Sequence, residues 1–132
     1  MRVLVCGTVD GKDAEAVREV LAQAAHGWGI HAVVCTAEGL PVQGCASLGV
    51  DVKTLHDPDA RARLETITWL LEHRLVDRVL ALPGDCDLGL YVKAFEHFVP
   101  VWEVVIRGQE AILQPLPIDR ARARWINRAE AA

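Results

Sequence analysis

A chain of 132 residues, 52% hydrophobic and of positive mean hydropathy, is long enough for one compact domain with a buried core and too short to favour two. Its net charge of −4, with basic residues spread along the chain, gives no electrostatic case for nucleic acid or an anionic membrane as the main partner. No apolar run approaches the roughly 20 residues of a membrane span, and Met1 to Gly7 is too short a run for a signal sequence, so the expected location is cytoplasmic, with Cys6, Cys35, Cys45 and Cys86 reduced.

Val3 to Cys6, ending in Gly7, is a short, wholly apolar run of the kind found in a parallel sheet covered on both faces. After a polar turn, Val17, Val20, Leu21 and Ala24 recur at helical spacing, and Gly27 stands where that helix is expected to end. Ile30 to Cys35 is the second strand. Thr36 to Gly49 holds Gly39, Pro41 and Gly44 and predicts a short or irregular helix. Val50 to Leu55 is the third strand. Asp57 and Pro58 then mark a helix start, a carboxylate cap followed by a proline in the first turn, with Leu64, Ile67, Leu70 and Leu71 as the buried stripe. Val79 to Leu82 is the fourth strand, Leu88 to Phe98 a helix with Leu88, Tyr91, Val92 and Phe95 on one face, and Val101 to Ile106 the fifth strand. Arg107 and Gly108 form a turn into a short strand, Ala111 to Leu113. Ile118 to Ala131 predicts a terminal helix carrying Trp125, with Arg120, Arg122, Arg124 and Arg128 as its polar face.

This alternation predicts an α/β fold: a three-layer, mostly parallel sheet of five strands with helices on both faces, plus a C-terminal edge hairpin and helix. The domain proper is expected over residues 1–106, with 107–132 an extension packed on it. In such a sheet, ligands bind beyond the carboxyl ends of the strands, where strand order reverses. That geometry selects the loops from Gly7 to Lys12, Thr36 to Gly44, His56 to Asp59 and Pro83 to Gly89.

The stretches MRVLVCGTVD, VDRVLALPGD and VPVWEV resemble the Rossmann-like SLOG superfamily, named for the SMF/DprA and LOG proteins, and in particular its small YspA-like branch. The similarity runs over roughly residues 1 to 104. It implies the sheet order 3-2-1-4-5, which sets the loops after the first and fourth strands side by side, and a nucleotide-related ligand bound there. Matched position by position, the family's Gly-Ser-Arg-Asp loop is Gly7, Thr8, Val9 and Asp10, without the arginine. Its glycine-rich second loop is Thr36, Ala37, Glu38 and Gly39. The Arg-Asn pair of the third helix is Arg63 and Leu64. Pro-Gly-Gly-x-Gly-Thr has become Pro83, Gly84, Asp85, Cys86, Asp87 and Leu88.

These departures have one physical direction. Glycines that let backbone amides approach a phosphate, and arginines that neutralise it, are replaced by Glu38, Asp85 and Asp87. A phosphomonoester there meets several carboxylates with only Arg63 and Lys12 in compensation, which argues against the phosphoribohydrolase activity of the LOG branch. The expected ligand-binding set is therefore Gly7, Thr8, Asp10, Thr36, Glu38, Gly39, Arg63, Pro83, Gly84, Asp85 and Asp87. The expected function is binding of a nucleotide, nucleoside or nucleotide-derived signal by a sensor or sequestering protein without a cofactor.

Two other readings stay open. One is an N-glycosidic bond hydrolase in which Asp85, Asp87, Glu38 or Asp10 stabilises an oxocarbenium-like transition state. The other is a non-catalytic, partner-binding protein of phage or mobile-element type with a dead pocket. A homo-oligomer, dimer or tetramer, is expected in each case. A plainer reading of Asp85 and Asp87 is as caps of the fourth helix, and of Asp10 as a turn former. Cys6, Cys35 and Cys86 fall at or just past strand ends, but no histidine stands at ligand spacing and no metal site is expected. His56 is read as a surface histidine or a general acid or base. Trp69 and Trp102 are assigned to the core or a subunit interface, and Trp28 to packing.

Overall fold

The computed structural model describes residues 1–36, 40–55, 59–84 and 88–117. Among these residues, six strands form one sheet: β1 (Arg2–Cys6), β2 (Ala32–Cys35), β3 (Asp51–Thr54), β4 (Arg78–Ala81), β5 (Val101–Arg107) and β6 (Glu110–Pro115), in the order β3-β2-β1-β4-β5-β6. The first five run parallel, and β6 returns antiparallel along β5 from Arg107↔Glu110 to Trp102↔Pro115. The fold is thus the α/β, Rossmann-like architecture expected. The edge hairpin adds a full sixth strand, longer than the three residues anticipated, because its pairing follows the whole length of β5.

Among the described residues, four helices cover the sheet: α1 (Ala14–Trp28), α2 (Leu40–Ser47), α3 (Ala60–Glu72) and α4 (Leu88–Glu96). Side-chain alternation in β1 divides the core. Val3 and Val5 pack with Val17, Val20 and Leu21 of α1 and Cys45 of α2, while Leu4 and Cys6 pack with Ile67 and Leu71 of α3 and Leu90, Tyr91 and Ala94 of α4. All four β1 residues are at most 1% exposed, which explains why the run carries no polar residue. None of the helices is long and apolar enough among the described residues to cross a membrane.

Several helix limits differ from the periodicity. α1 passes through Gly27 and stops at Gly29, which takes the left-handed conformation (φ 65°) and donates its N–H to Ala25. α2 is a short helix of eight residues, as expected: Pro41 sits in its first turn, where a missing N–H is tolerated, and Gly44 faces α1, where a Cβ would make an ordinary contact with Leu21 Cδ1 at 3.4 Å. The cap of α3 is Asp59, whose carboxylate accepts from Arg61 N at 3.0 Å; Asp57 and Pro58 lie outside the described residues. The inward face of α4 is Leu90, Tyr91 and Ala94, with Val92 and Phe95 only half-buried. The terminal helix expected after Ile118 lies outside the described residues.

Two expectations about side chains change. Trp69 is 51% exposed and so is not a core residue. Cys6 is disulfide-bonded, against the expectation of four reduced thiols, whereas Cys35 and Cys45 keep free thiols. Cys6 and Cys35 also face opposite sides of the sheet, as the alternation of β1 and its register with β2 require, so these two do not converge; Cys86 lies outside the described residues.

Candidate functional site

Strand order reverses between β1 and β4, and the loops that leave them lie against each other at the carboxyl edge of the sheet. Leu82 N donates to Cys6 O at 2.9 Å, and Gly84 N donates to Thr8 O at 2.8 Å, so the β1–β4 ladder continues two residues into the loops. Gly7 takes φ 92°, and a Cβ on it would stand 2.8 Å from Gly84 O. One on Gly84 would overlap Thr8 Oγ1 and lie 2.6 Å from Thr8 O. These glycines allow two backbones to touch. Moreover, the Gly84 amide, which a phosphate turn would offer to an anion, is already donated to protein.

A cavity of about 590 Å³ opens beside this junction. The loop after β1 supplies Thr8, Val9 and Asp10, the following 3₁₀ turn supplies Lys12 and Asp13, the loop after β4 supplies Pro83 and Gly84, and the β5–β6 hairpin closes it with Ile106 and Gly108. Asp10 precedes the 3₁₀ turn at Gly11–Asp13, yet only its carbonyl is used, accepting from Asp13 N at 2.9 Å; its carboxylate makes no capping bond. A second cavity of about 680 Å³ shares Lys12, Asp13 and Gly108 with the first and adds Glu15 and Glu19 of α1 and Glu110 of β6. Among the described residues, one lysine thus stands among five carboxylates across the two spaces. The local field disfavours a bare anion and suits hydroxyls, amines and other hydrogen-bond donors.

Of the residues expected from sequence, the structure brings together Gly7, Thr8, Asp10, Pro83 and Gly84. Thr36 does not line the cavity; its amide continues the β1–β2 ladder by donating to Val5 O at 3.0 Å. Arg63 is on α3, on the other face of the sheet, where it cannot compensate charge in this cavity. Glu38, Gly39, Asp85 and Asp87 lie outside the described residues, as do His56 and Cys86. Asp10 is therefore the one catalytic candidate placed at the cavity among the described residues.

Sequence reasoning missed Asp13, Ile106 and Gly108 as lining residues, because they reach the site only through the 3₁₀ turn and the β5–β6 hairpin at the sheet edge. It also missed Glu103, a carboxylate 6% exposed on β5 that accepts from Gln114 Nε2 at 2.7 Å. The signal was legible as a lone acid within the apolar strand Val101 to Ile106. Its neighbour in register is Ala81, and it shares the α3–α4 face with Val101, so it lies across the sheet from the cavity.

No family model matches the chain, and no curated protein matches it. Among solved structures it is similar to glycinamide ribonucleotide transformylase 1 from Symbiobacterium toebii, with 16% identity and a TM-score of 0.40 over 97% of this chain and 81% of that one.

Proposed function

We propose that the chain binds a nucleoside or a nucleotide-derived signal in the cavity beside Gly7 and Gly84, acting as a sensor or sequestering module of SLOG type. The observation that carries this reading is the cavity's position: about 590 Å³ of space at the reversal of strand order, within the range of roughly 300–1,000 Å³ usual for small-molecule sites. Asp10 and Thr8 are suited to the hydroxyls of a ribose. The occupied Gly84 amide and the excess of carboxylates turn the site away from a free phosphomonoester.

The test is calorimetric titration and thermal shift with nucleosides, their mono- and diphosphates and cyclic dinucleotide-like esters, on the wild type and on Asp10→Asn. Stabilisation by a nucleoside that is lost in Asp10→Asn supports the reading, and no stabilisation by any compound of the panel overturns it. The same incubations, followed by chromatography, detect free base. Base release abolished by Asp10→Asn converts the reading from sensor to N-glycosidic hydrolase.

A further inference from the structure

A second surface stands on the opposite face of the sheet. Trp69, on the outer side of α3, leaves half its surface open and is stacked on His73, with ring centroids 4.3 Å apart. Beside it a groove of about 640 Å³ runs between α3 and α4 over Leu64, Thr68 and Lys93, bordered by Arg61, Glu65 and Glu72 of α3. The charges on this helix are placed against its own dipole. Arg61 occupies the first turn, which favours acids, and Glu72 the last, which favours bases. Within the chain, Arg61 finds Glu65 at 3.8 Å in a pair whose side chains are 87% and 73% exposed, a contact worth little. Along α3 the face runs from Arg61 at its positive end, through Leu64, Glu65, Thr68 and Trp69, to Glu72 at its negative end. Turned end for end, it is its own complement.

We propose that this face docks a second copy of the chain, α3 against α3 antiparallel, about a two-fold axis passing between Thr66 and Ile67. In that register Arg61 meets Glu72 of the partner subunit, and Leu64 meets Trp69 of the partner subunit, each contact occurring twice as an isologous interface requires. The indole leaves water for the groove, and both charges that oppose the helix dipole gain a partner. A helix of 13 residues is about 20 Å long, so the buried area is below that of a standard interface and the dimer is weak and concentration-dependent.

Sedimentation equilibrium on the full chain tests this. Trp69→Ala is expected to raise the dimer dissociation constant about 30-fold, as loss of a central aromatic anchor does. Arg61→Glu or Glu72→Arg alone is expected to raise it about tenfold, through like charges meeting twice. The double variant Arg61→Glu, Glu72→Arg restores the pairing with reversed sign and recovers most of the affinity, which no loss of folding could mimic; thermal melts confirm that all variants fold. A chain that stays monomeric up to its solubility limit overturns the proposal. So does a dimer indifferent to Trp69→Ala, or one that the double variant fails to restore.

Discussion

The N–H of Gly84 donates to the carbonyl of Thr8 at 2.8 Å, and this one bond fixes how the loops after β1 and β4 meet. It requires glycine on both sides, since a Cβ on Gly84 would lie 2.6 Å from Thr8 O and one on Gly7 would lie 2.8 Å from Gly84 O. Gly84→Ala and Gly7→Ala are each expected to lower the free energy of unfolding by about 2 kcal/mol, the cost of forcing extra volume into packed backbone, with Gly7→Ala adding the strain of φ 92°. Because both relieve the same contact, the double variant should lose less than the sum. Urea unfolding of the three variants measures this, and two single losses under about 0.5 kcal/mol would show that the loops yield without resistance.

That bond also shows what the sequence could and could not convey. Continuous apolar runs such as Val3 to Cys6 announce a strand buried on both faces, and the stripe Val17, Val20, Leu21 and Ala24 announces the helix that covers it, because burial leaves a period in the residues themselves. Pro83 and Gly84 announced a turn at the site. Whether Gly84 serves a ligand or another loop depends on Thr8, 76 positions away by their numbering, and nothing local in either segment records that contact. Gly29 and Asp59 were displaced by the same limitation, since two glycines or two aspartates near a helix end are equivalent until packing chooses between them. The hairpin's part in the cavity was hidden for another reason: Ile106 reads as an ordinary strand residue, and only the place of β5 and its hairpin at the sheet edge brings it to the cavity that Thr8 and Asp10 line.

Cys35 and Cys45 make stability depend on pH in a particular way. The hydrogen bond to Cys45, and then burial, hold the proton on Cys35 and push its pKa far above the thiol range. The same bond favours the Cys45 thiolate and lowers its pKa, against burial. Below the ordinary thiol value of about 8.5, the folded chain gives up the Cys45 proton before the unfolded chain does, so stability rises with pH there. Above it, the unfolded chain loses a Cys35 proton that the folded chain keeps, and stability falls by about 1.4 kcal/mol per pH unit. Urea unfolding between neutral and alkaline pH, without reductant so that the Cys6 disulfide stays intact, should show both limbs in the wild type and only the alkaline fall in Cys35→Ala, where burial alone acts on Cys45 and raises its pKa. A rise with pH below the thiol value that persists in Cys35→Ala would mean that the pair does not share its proton in this way.

Arg78 closes the lower end of the α1–α2 side of the core. Its guanidinium lies 4.6 Å from the Trp28 ring and 5.7 Å from the Trp102 ring, which themselves meet edge to face at 5.3 Å. Arg78→Ala is expected to cost about 1 kcal/mol, from the lost cation–π contacts and the packing of the arginine stem. Arg78→Lys should retain only part of it, because an ammonium cannot stack on two rings at once. The near-ultraviolet dichroism of the indoles reports the same change, and an unaltered spectrum in Arg78→Ala would show that the cation does not order the rings.

The charge of the candidate site makes the last expectation the most discriminating. With Asp10 and Asp13 against Lys12 in the first cavity, and Glu15, Glu19 and Glu110 beyond, a nucleoside should bind about tenfold more tightly than its 5′-monophosphate, at an effective dielectric between those of water and protein interior. Removing one carboxylate from the approach without touching the sugar contacts, as Asp13→Asn does, should narrow that ratio several-fold, chiefly by improving the monophosphate. Raising the salt concentration should narrow it as well, since both cavities are open enough for counterions to enter. Lys12→Ala should widen it, because the lysine is the only cation lining either space among the described residues. Titration calorimetry with the matched pair of ligands at two ionic strengths decides the matter. A monophosphate that outbinds its nucleoside in the wild type would show that the carboxylates do not set the field at this edge, and that the anion site resembled by Pro83 and Gly84 is intact after all.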